Sequence, residues 1–388
     1  MASYSSIPNL NTLRAGTSGG RRLRGRRGGP GRPDASIEDS TGTGTGTDIR
    51  EGNDMHADLA RDRIIQQTDG DASSSRMSAV ALAYLDDPYA QRLYQLPGPV
   101  AKRYPIINRG TYVRTTAIDR LVTLFLNGDG DGDGKGARKQ IISLGAGSDT
   151  RFFRLCAGKH NVLYHELDFE DNVRPKRNAI RNSAELARMA TPPAGGPSSS
   201  YHLHAIDLRL LTTQSPPALP HFDPDLPTLI LSECCLCYFP PDLATSVVNY
   251  FMMNIRASKG IILYEPVRPF DPFGRTMMAN LASRGIELRT LKRYYSLDAQ
   301  RRRLQVAGFE SGQGARDVHQ IWESSDWVSE TERERIEKIE WLDEVEEWEL
   351  LARHYCVSWA WRGDPFTAAW SSVEGHRTDD ERMDDDSM

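Results

Sequence analysis

The hydrophobic positions of this chain fall into short apolar runs, each ending in a glycine or a carboxylate, with stretches of helical spacing between them. Ile141-Ile142 leads into Gly145-Ala146-Gly147, Val162 to Leu167 ends at Asp168, and Tyr201 to Ile206 ends at Asp207-Leu208. Thr228 to Ser232, the most apolar run, ends at Glu233, and Gly260 to Glu265 makes a fifth. Runs of this length read as strands. The intervening segments predict helices: Arg76 to Leu85 behind the capping serines Ser73 to Ser75, Thr111 to Leu126 with Ile118, Leu121, Val122 and Phe125 on one face, one starting near Asp149, Glu170 to Met189, and Asp242 to Ile255. A long acidic amphipathic helix reaches Leu351, and His354 to Trp361 closes the sheet as a final antiparallel strand. Strands alternating with helices predict an α/β fold with a mostly parallel sheet covered on both faces.

Composition limits where this fold can lie. Residues 1–72 are rich in Gly, Ser, Thr and Arg, and residues 364–388 end in an acidic run, so neither is expected to order itself. One domain over 73–363 remains, with a linker at 127–137 and a Gly/Pro/Ser loop at 191–200. The basic cluster Arg21 to Arg27 reads as part of a solvated tail, with a nuclear-import signal, a nucleic-acid patch or a transit peptide as alternatives. A net charge of −5 argues neither for nor against nucleic acid. The five cysteines are no disulfide framework and fit a reducing compartment. No apolar run approaches the roughly 20 residues of a bilayer span. We expect a soluble cytoplasmic protein, with the nucleus as a second location.

Two motifs suggest metals and fail on inspection. Asp129 to Gly134 resembles the first half of a calcium loop, but Gln140 stands where the bidentate acid belongs. Cys234, Cys235 and Cys237 lack the second pair of ligands that structural zinc requires, and read as buried packing. No metal is expected.

The strand ends carry the chemistry. Gly145 permits a sharp turn and Gly147 a close backbone approach, while Thr150 replaces the third glycine of a dinucleotide fingerprint. That gap favours a smaller cationic nucleoside such as S-adenosylmethionine over a nicotinamide dinucleotide. Asp168, about 20 residues beyond the turn, stands where open α/β sheets hold both ribose hydroxyls, with a helix N-cap as the plain alternative. Asp207 could accept from an adenine amino group or merely cap a loop. Glu233, at the tip of a buried strand, needs a cation, which a ligand's ammonium or sulfonium would supply. Arg114, in the first turns of its helix, opposes the helix dipole and so projects to solvent or meets an anion.

Taken in order, Asp87-Pro88-Tyr89, Ile107-Asn108-Arg109-Gly110, Leu144 to Thr150, Glu166 to Phe169, Ser232-Glu233-Cys234 and His354-Tyr355-Cys356 resemble the leucine carboxyl methyltransferases, a match that runs from Arg76 to Gly363. The resemblance implies a Rossmann-like S-adenosylmethionine-dependent methyltransferase fold, with a seven-stranded sheet and added helices forming a substrate-side lid. It implies methyl transfer to the C-terminal leucine carboxylate of the protein phosphatase 2A catalytic subunit. By motif, Asp168 would hold the ribose, Asp207-Leu208 the adenine, Gly145 and Glu233 would lie beside the methionine part, and Arg114 would pair with the methionine carboxylate. Arg76 replaces the family's usual lysine, with different fork geometry. Tyr238 could touch the substrate carboxylate. No catalytic base is expected, because a C-terminal carboxylate has a pKa of roughly 3.5 and is already ionised. Two rivals are a related enzyme acting on a modified tRNA base, whose added repeats of roughly 50 residues are missing here, and a non-catalytic phosphatase-binding protein.

Overall fold

The computed structural model describes residues 48–94, 98, 100–128, 137–191, 199–343 and 345–373. The basic cluster at 21–27, most of the linker at 127–137 and most of the loop at 191–200 lie outside them, as does the chain beyond residue 373.

Seven strands form one sheet: β1 (Lys139–Leu144), β2 (Val162–Asp168), β3 (Ser200–Ala205), β4 (Thr228–Glu233), β5 (Lys259–Pro266), β6 (Gly312–Asp317) and β7 (Tyr355–Arg362), in the order β3-β2-β1-β4-β5-β7-β6. β1 to β5 run parallel, and β7 is antiparallel to both β5 and β6. The helices are α1 (Asp48–Ala81), α2 (Ala90–Leu93), α3 (Pro105–Asn127), α4 (Glu170–Asn182), α5 (Ala184–Ala190), α6 (Pro241–Asn254), α7 (Pro272–Ala282), α8 (Leu297–Val306), α9 (Val318–Glu323), α10 (Glu330–Glu337), α11 (Val345–Arg353) and α12 (Asp364–Trp370).

Successive residues of a strand serve opposite cores. Ile141, Leu229 and Ile262 pack with Val113, Ile118 and Leu121 of α3, whereas Ile142, Ile230 and Ile261 pack with Val247 and Phe251 of α6. Burial on both faces is why these strands are continuous apolar runs rather than alternating ones. β7 lies inside the sheet rather than at its edge. The edge strand is β6, Gly-Gln-Gly-Ala-Arg-Asp, which shows no apolar alternation because a Cβ on Gly312 or Gly314 would overlap the indoles of Trp361 and Trp359.

Order begins well before Ser73. Asp48 opens α1, and Ser73 and Ser75 do not cap a helix but donate their hydroxyls back to the carbonyls of Gly70 and Asp71 within it. The helix expected from Glu170 to Met189 breaks at Ser183, whose side chain caps α5. The long acidic helix is two, α10 and α11. After the glycine turn there is only one wide helical turn, Phe152–Cys156. No helix among the described residues is long and apolar enough to cross a membrane.

Residues 364–373 are also structured, against expectation. In α12, Phe366 stacks on Phe125 with ring centroids 4.7 Å apart, and Trp370 donates its indole N–H to the Leu121 carbonyl at 3.0 Å. Two aromatics four residues apart beside an acidic tail leave little compositional trace, yet both are wholly buried. Phe366→Ala should cost about 3–5 kcal/mol of stability, measurable as a lowered urea midpoint.

At the β2–β3 edge, His165 Nδ1 lies 2.9 Å from His204 Nε2, and His202 stacks on His221. Burial, followed by the neighbouring imidazoles, pushes His165 down to about 3 and His204 to about 4, so both are neutral at pH 7. The unfolded chain protonates them near pH 6.5 while the folded one does not, so stability is held above that pH and lost as pH falls. The urea midpoint should therefore drop between pH 7 and pH 5, and this drop should be shallower in His204→Asn.

Candidate active site

A cavity of about 300 Å³ opens at the carboxyl ends of the parallel strands, walled by α1 and α3 on one side and by residues of α7, α9 and α11 on others. Parallel α/β sheets bind ligands at this end. The helices beyond the sheet supply the enclosure that the sequence suggests as a lid.

Its floor is the turn after β1. Gly145 has φ +61°, and a Cβ there would come within 2.6 Å of Cys235 Sγ. Gly147 has φ +47°, and its open face is taken by Asp69 of α1, whose Oδ1 accepts from Ser148 N and Ser148 Oγ, both at 2.8 Å. Asp168, at the end of β2, accepts from Gly147 N at 2.7 Å, Phe169 N at 2.7 Å and Asn172 Nδ2 at 3.0 Å. A carboxylate has about four acceptor positions, so these bonds orient it and leave room for a further donor from the cavity. Burial raises its pKa, while the three donors oppose that shift.

Glu233, at the tip of β4, accepts from Arg114 Nε at 2.7 Å and from Arg151 Nη1. Burial works against its ionisation, yet Arg151 and Arg114 hold it below its ordinary range. Its compensating cations thus come from the protein, not from a ligand. Arg114 also lies over the Tyr264 ring at 4.5 Å, which settles its orientation: it meets an anion at the cavity wall.

Arg151 has no place among the sequence-derived residues. It is 1% exposed and bridges Asp119, Asp149 and Glu233. Arg154 continues the network to Asp119 and Thr150, and Asp87 joins Thr150 to Arg76. The available signal was two arginines, Arg151 and Arg154, flanking the apolar pair Phe152-Phe153. Arg76 donates Nε to Asp87 at 2.6 Å, and its Nη2 is buried without a hydrogen-bond partner. Because Arg76 lines the cavity, that orphan donor suits an anionic ligand group.

Asp207 behaves differently. Its carboxylate caps the following turn and is clamped by Arg209, which in turn reaches Asp62 of α1. Ile206 and Leu208 line the cavity, whereas the Asp207 side chain does not. Tyr238 lines it too, and its hydroxyl interacts with Thr68. Composition does not single out Asp62, Thr68 and Asp69, because it reads residues 1–72 as a tail, whereas α1 brings all three to the cavity. Among the described residues, no group of His, Cys, Asp or Glu is arranged to hold a metal.

Residues 64–252 match the family model described as leucine carboxyl methyltransferase. Leucine carboxyl methyltransferase 1 of Aspergillus fumigatus is 48% identical, over 97% of this chain and 100% of that protein. The protein of the same name from Emericella nidulans is 46% identical over 96% and 99%, and that from Yarrowia lipolytica 41% identical over 78% and 98%. With a Rossmann-like methyltransferase sheet and a cavity at the strand ends, this chain belongs to the leucine carboxyl methyltransferase family, and it is an enzyme that methylates a carboxyl group.

Proposed function

We propose that this enzyme transfers a methyl group from S-adenosylmethionine to the α-carboxylate of the C-terminal leucine of the protein phosphatase 2A catalytic subunit. The observation that carries this reading is one cavity holding both an oriented carboxylate with acceptor capacity to spare, Asp168, and a buried arginine donor without a partner, Arg76 Nη2. The first suits a ribose and the second an α-carboxylate, the two ends of such a donor.

When bound, S-adenosylmethionine supplies an electrophilic methyl group on a sulfonium. Asp168 would accept from a ribose hydroxyl at its remaining acceptor position, and Leu208 would provide an apolar wall for the adenine. Gly145 would lie beside the methionine part, its missing Cβ making way for Cys235, while Asp69 covers Gly147. Arg76 and Arg114 would receive its carboxylate, and Glu233 fixes Arg114 in place. Tyr238, which lines the same cavity, would face the acceptor.

The chain need not supply a base. The acceptor carboxylate ionises at roughly 3.5 and is an anion at neutral pH, so the residues need only align it and exclude water. Alignment can supply several kcal/mol, and a dry cavity strengthens the attraction between the charges. Esterification removes one negative charge from the tail of the phosphatase, which would alter its assembly with other subunits.

The test is transfer of labelled methyl from S-adenosylmethionine to purified catalytic subunit, beside the same subunit lacking its terminal leucine. Label on the intact subunit alone supports the reading. Donor binding without transfer would point to another carboxylate, with a tRNA base tested next, and absence of donor binding would favour a non-catalytic role.

A further inference from the structure

Cys234-Cys235-Leu236-Cys237 follows Glu233 at the tip of β4, so that Cys234 and Cys237 have the C-x-x-C spacing. These residues are not a uniform block of buried packing. Cys234 lines the cavity and is partly exposed, whereas Cys237 is buried at 1%, in the single helical turn Leu236–Tyr238. The two thiols are near enough to interact. Cys234 also has φ +47°, a left-handed conformation uncommon for a residue with a Cβ, and its N–H is tied to the Tyr264 carbonyl at 2.8 Å. Such strain clusters at functional positions.

The two thiols have unlike surroundings. The neighbouring Cys237 thiol favours the Cys234 thiolate and so does the Arg114 guanidinium, although burial opposes both; burial pushes the Cys237 thiol up. One sulfur is poised to attack an oxidant, and the other keeps its proton within reach.

We propose that Cys234 and Cys237 form a reversible intramolecular disulfide that switches this enzyme off, with a peroxide as oxidant. The Cys234 thiolate attacks one oxygen of hydrogen peroxide. The O–O bond breaks, and the departing hydroxide takes up a proton to become water. Cys237 sulfur then attacks the sulfenic sulfur of Cys234, its proton leaving with the hydroxyl as a second water. Overall, two thiols and one peroxide give one disulfide and two waters, the thiols losing two electrons. A dithiol reverses the change and is itself oxidised to a disulfide.

Closure would act on the donor site through short paths. It withdraws the Cys234 sulfur from Arg114 and displaces Cys235, whose Sγ already packs against Gly145. The Cys237 carbonyl accepts from Arg289 N at 2.8 Å, so the wall behind the turn is coupled as well. The inhibition, though not the disulfide itself, rests on the donor site proposed above.

The full chain should be treated with hydrogen peroxide, alkylated, digested and mapped by mass spectrometry, with S-adenosylhomocysteine binding measured before treatment, after it and after dithiothreitol. We expect a Cys234–Cys237 linkage, loss of binding on oxidation, and recovery on reduction. In Cys237→Ser no linkage forms, and Cys234 is trapped by dimedone as a sulfenic acid. In Cys234→Ser the linkage is likewise absent and Cys237 is not trapped. Cys234 and Cys237 both remaining alkylatable after peroxide, or linkage through Cys235 instead, would overturn the proposal. A reduced protein that never binds S-adenosylhomocysteine would count against the proposed donor site, while the disulfide map would still decide the linkage.

Discussion

Asp168→Ala is expected to weaken S-adenosylhomocysteine binding by about one to two orders of magnitude, since a hydrogen bond to a charged acceptor is worth about 1.5–3 kcal/mol and three of the four acceptor positions are already filled by Gly147 N, Phe169 N and Asn172 Nδ2. The carboxylate cannot be replaced from nearby. Asp69 is engaged by Ser148, and Asp207 is held by Arg209. The substitution also strips Gly147 N, Phe169 N and Asn172 Nδ2 of an acceptor, so some loss of stability accompanies it. Asp168→Asn separates the two effects, because it keeps the side-chain size and an acceptor oxygen but loses the charge. Calorimetric titration of both variants, beside thermal melts, should show weakened binding in each and a large drop in melting temperature only in the alanine variant. Unchanged binding in both would remove Asp168 from the donor site.

Arg151→Met should cost about 3–5 kcal/mol of stability, the range seen when one partner of a buried ion pair is removed. Arg151 faces three carboxylates, and its loss would take a shared cation from Asp119, Asp149 and Glu233, leaving Arg154 on Asp119 and Arg114 on Glu233. For Asp149 and Glu233, burial alone would raise the pKa, and Arg151 is the first-ranked attraction that lowers each below its ordinary range. In the native protein both pKa values are depressed, so their contribution is present above the unfolded carboxylate pKa and is lost only in acid. Without Arg151 this depression shrinks but Lys176, Arg154 and Arg114 remain as partners, so the variant lacks the contribution at every pH where the native carboxylates are ionised and the two proteins converge only in acid. The deficit in urea midpoint should therefore be smaller near pH 3 than at pH 8. Equal deficits at both would mean that packing around Arg151, rather than its charge, carries the cost.

The parallel half of the sheet was legible because β1, β2, β4 and β5 are buried on both faces, which writes a plain apolar run into the chain. The charged residues at their ends were legible for the complementary reason: Asp168 and Glu233 stand where an apolar run gives way to something that must be compensated. What compensates Glu233 was not legible, since Arg114 lies 119 residues before it and Arg151 reaches it from the turn after β1. β6 was invisible because its glycines make way for Trp359 and Trp361.

The largest difference is α1. Its described part is polar because the surfaces it meets are polar: Asp62 pairs with Arg209, Asp71 with Arg284, and Asp69 closes over the glycine turn. Low hydrophobicity signals disorder only when burial of apolar surface is the sole means of attachment. Here ion pairs and a cavity wall supplement a few apolar contacts, such as Ile64 against Gly285.

The proposed methyl transfer to a C-terminal leucine carboxylate is read most plainly on its product. The most direct measurement is the mass of phosphatase 2A catalytic subunit incubated with this enzyme and S-adenosylmethionine, with fragmentation to place the adduct. We expect a gain of one CH₂ on the terminal leucine, removed by mild base and absent with Asp168→Ala. A gain elsewhere, one stable to base, or none despite donor binding would contradict it.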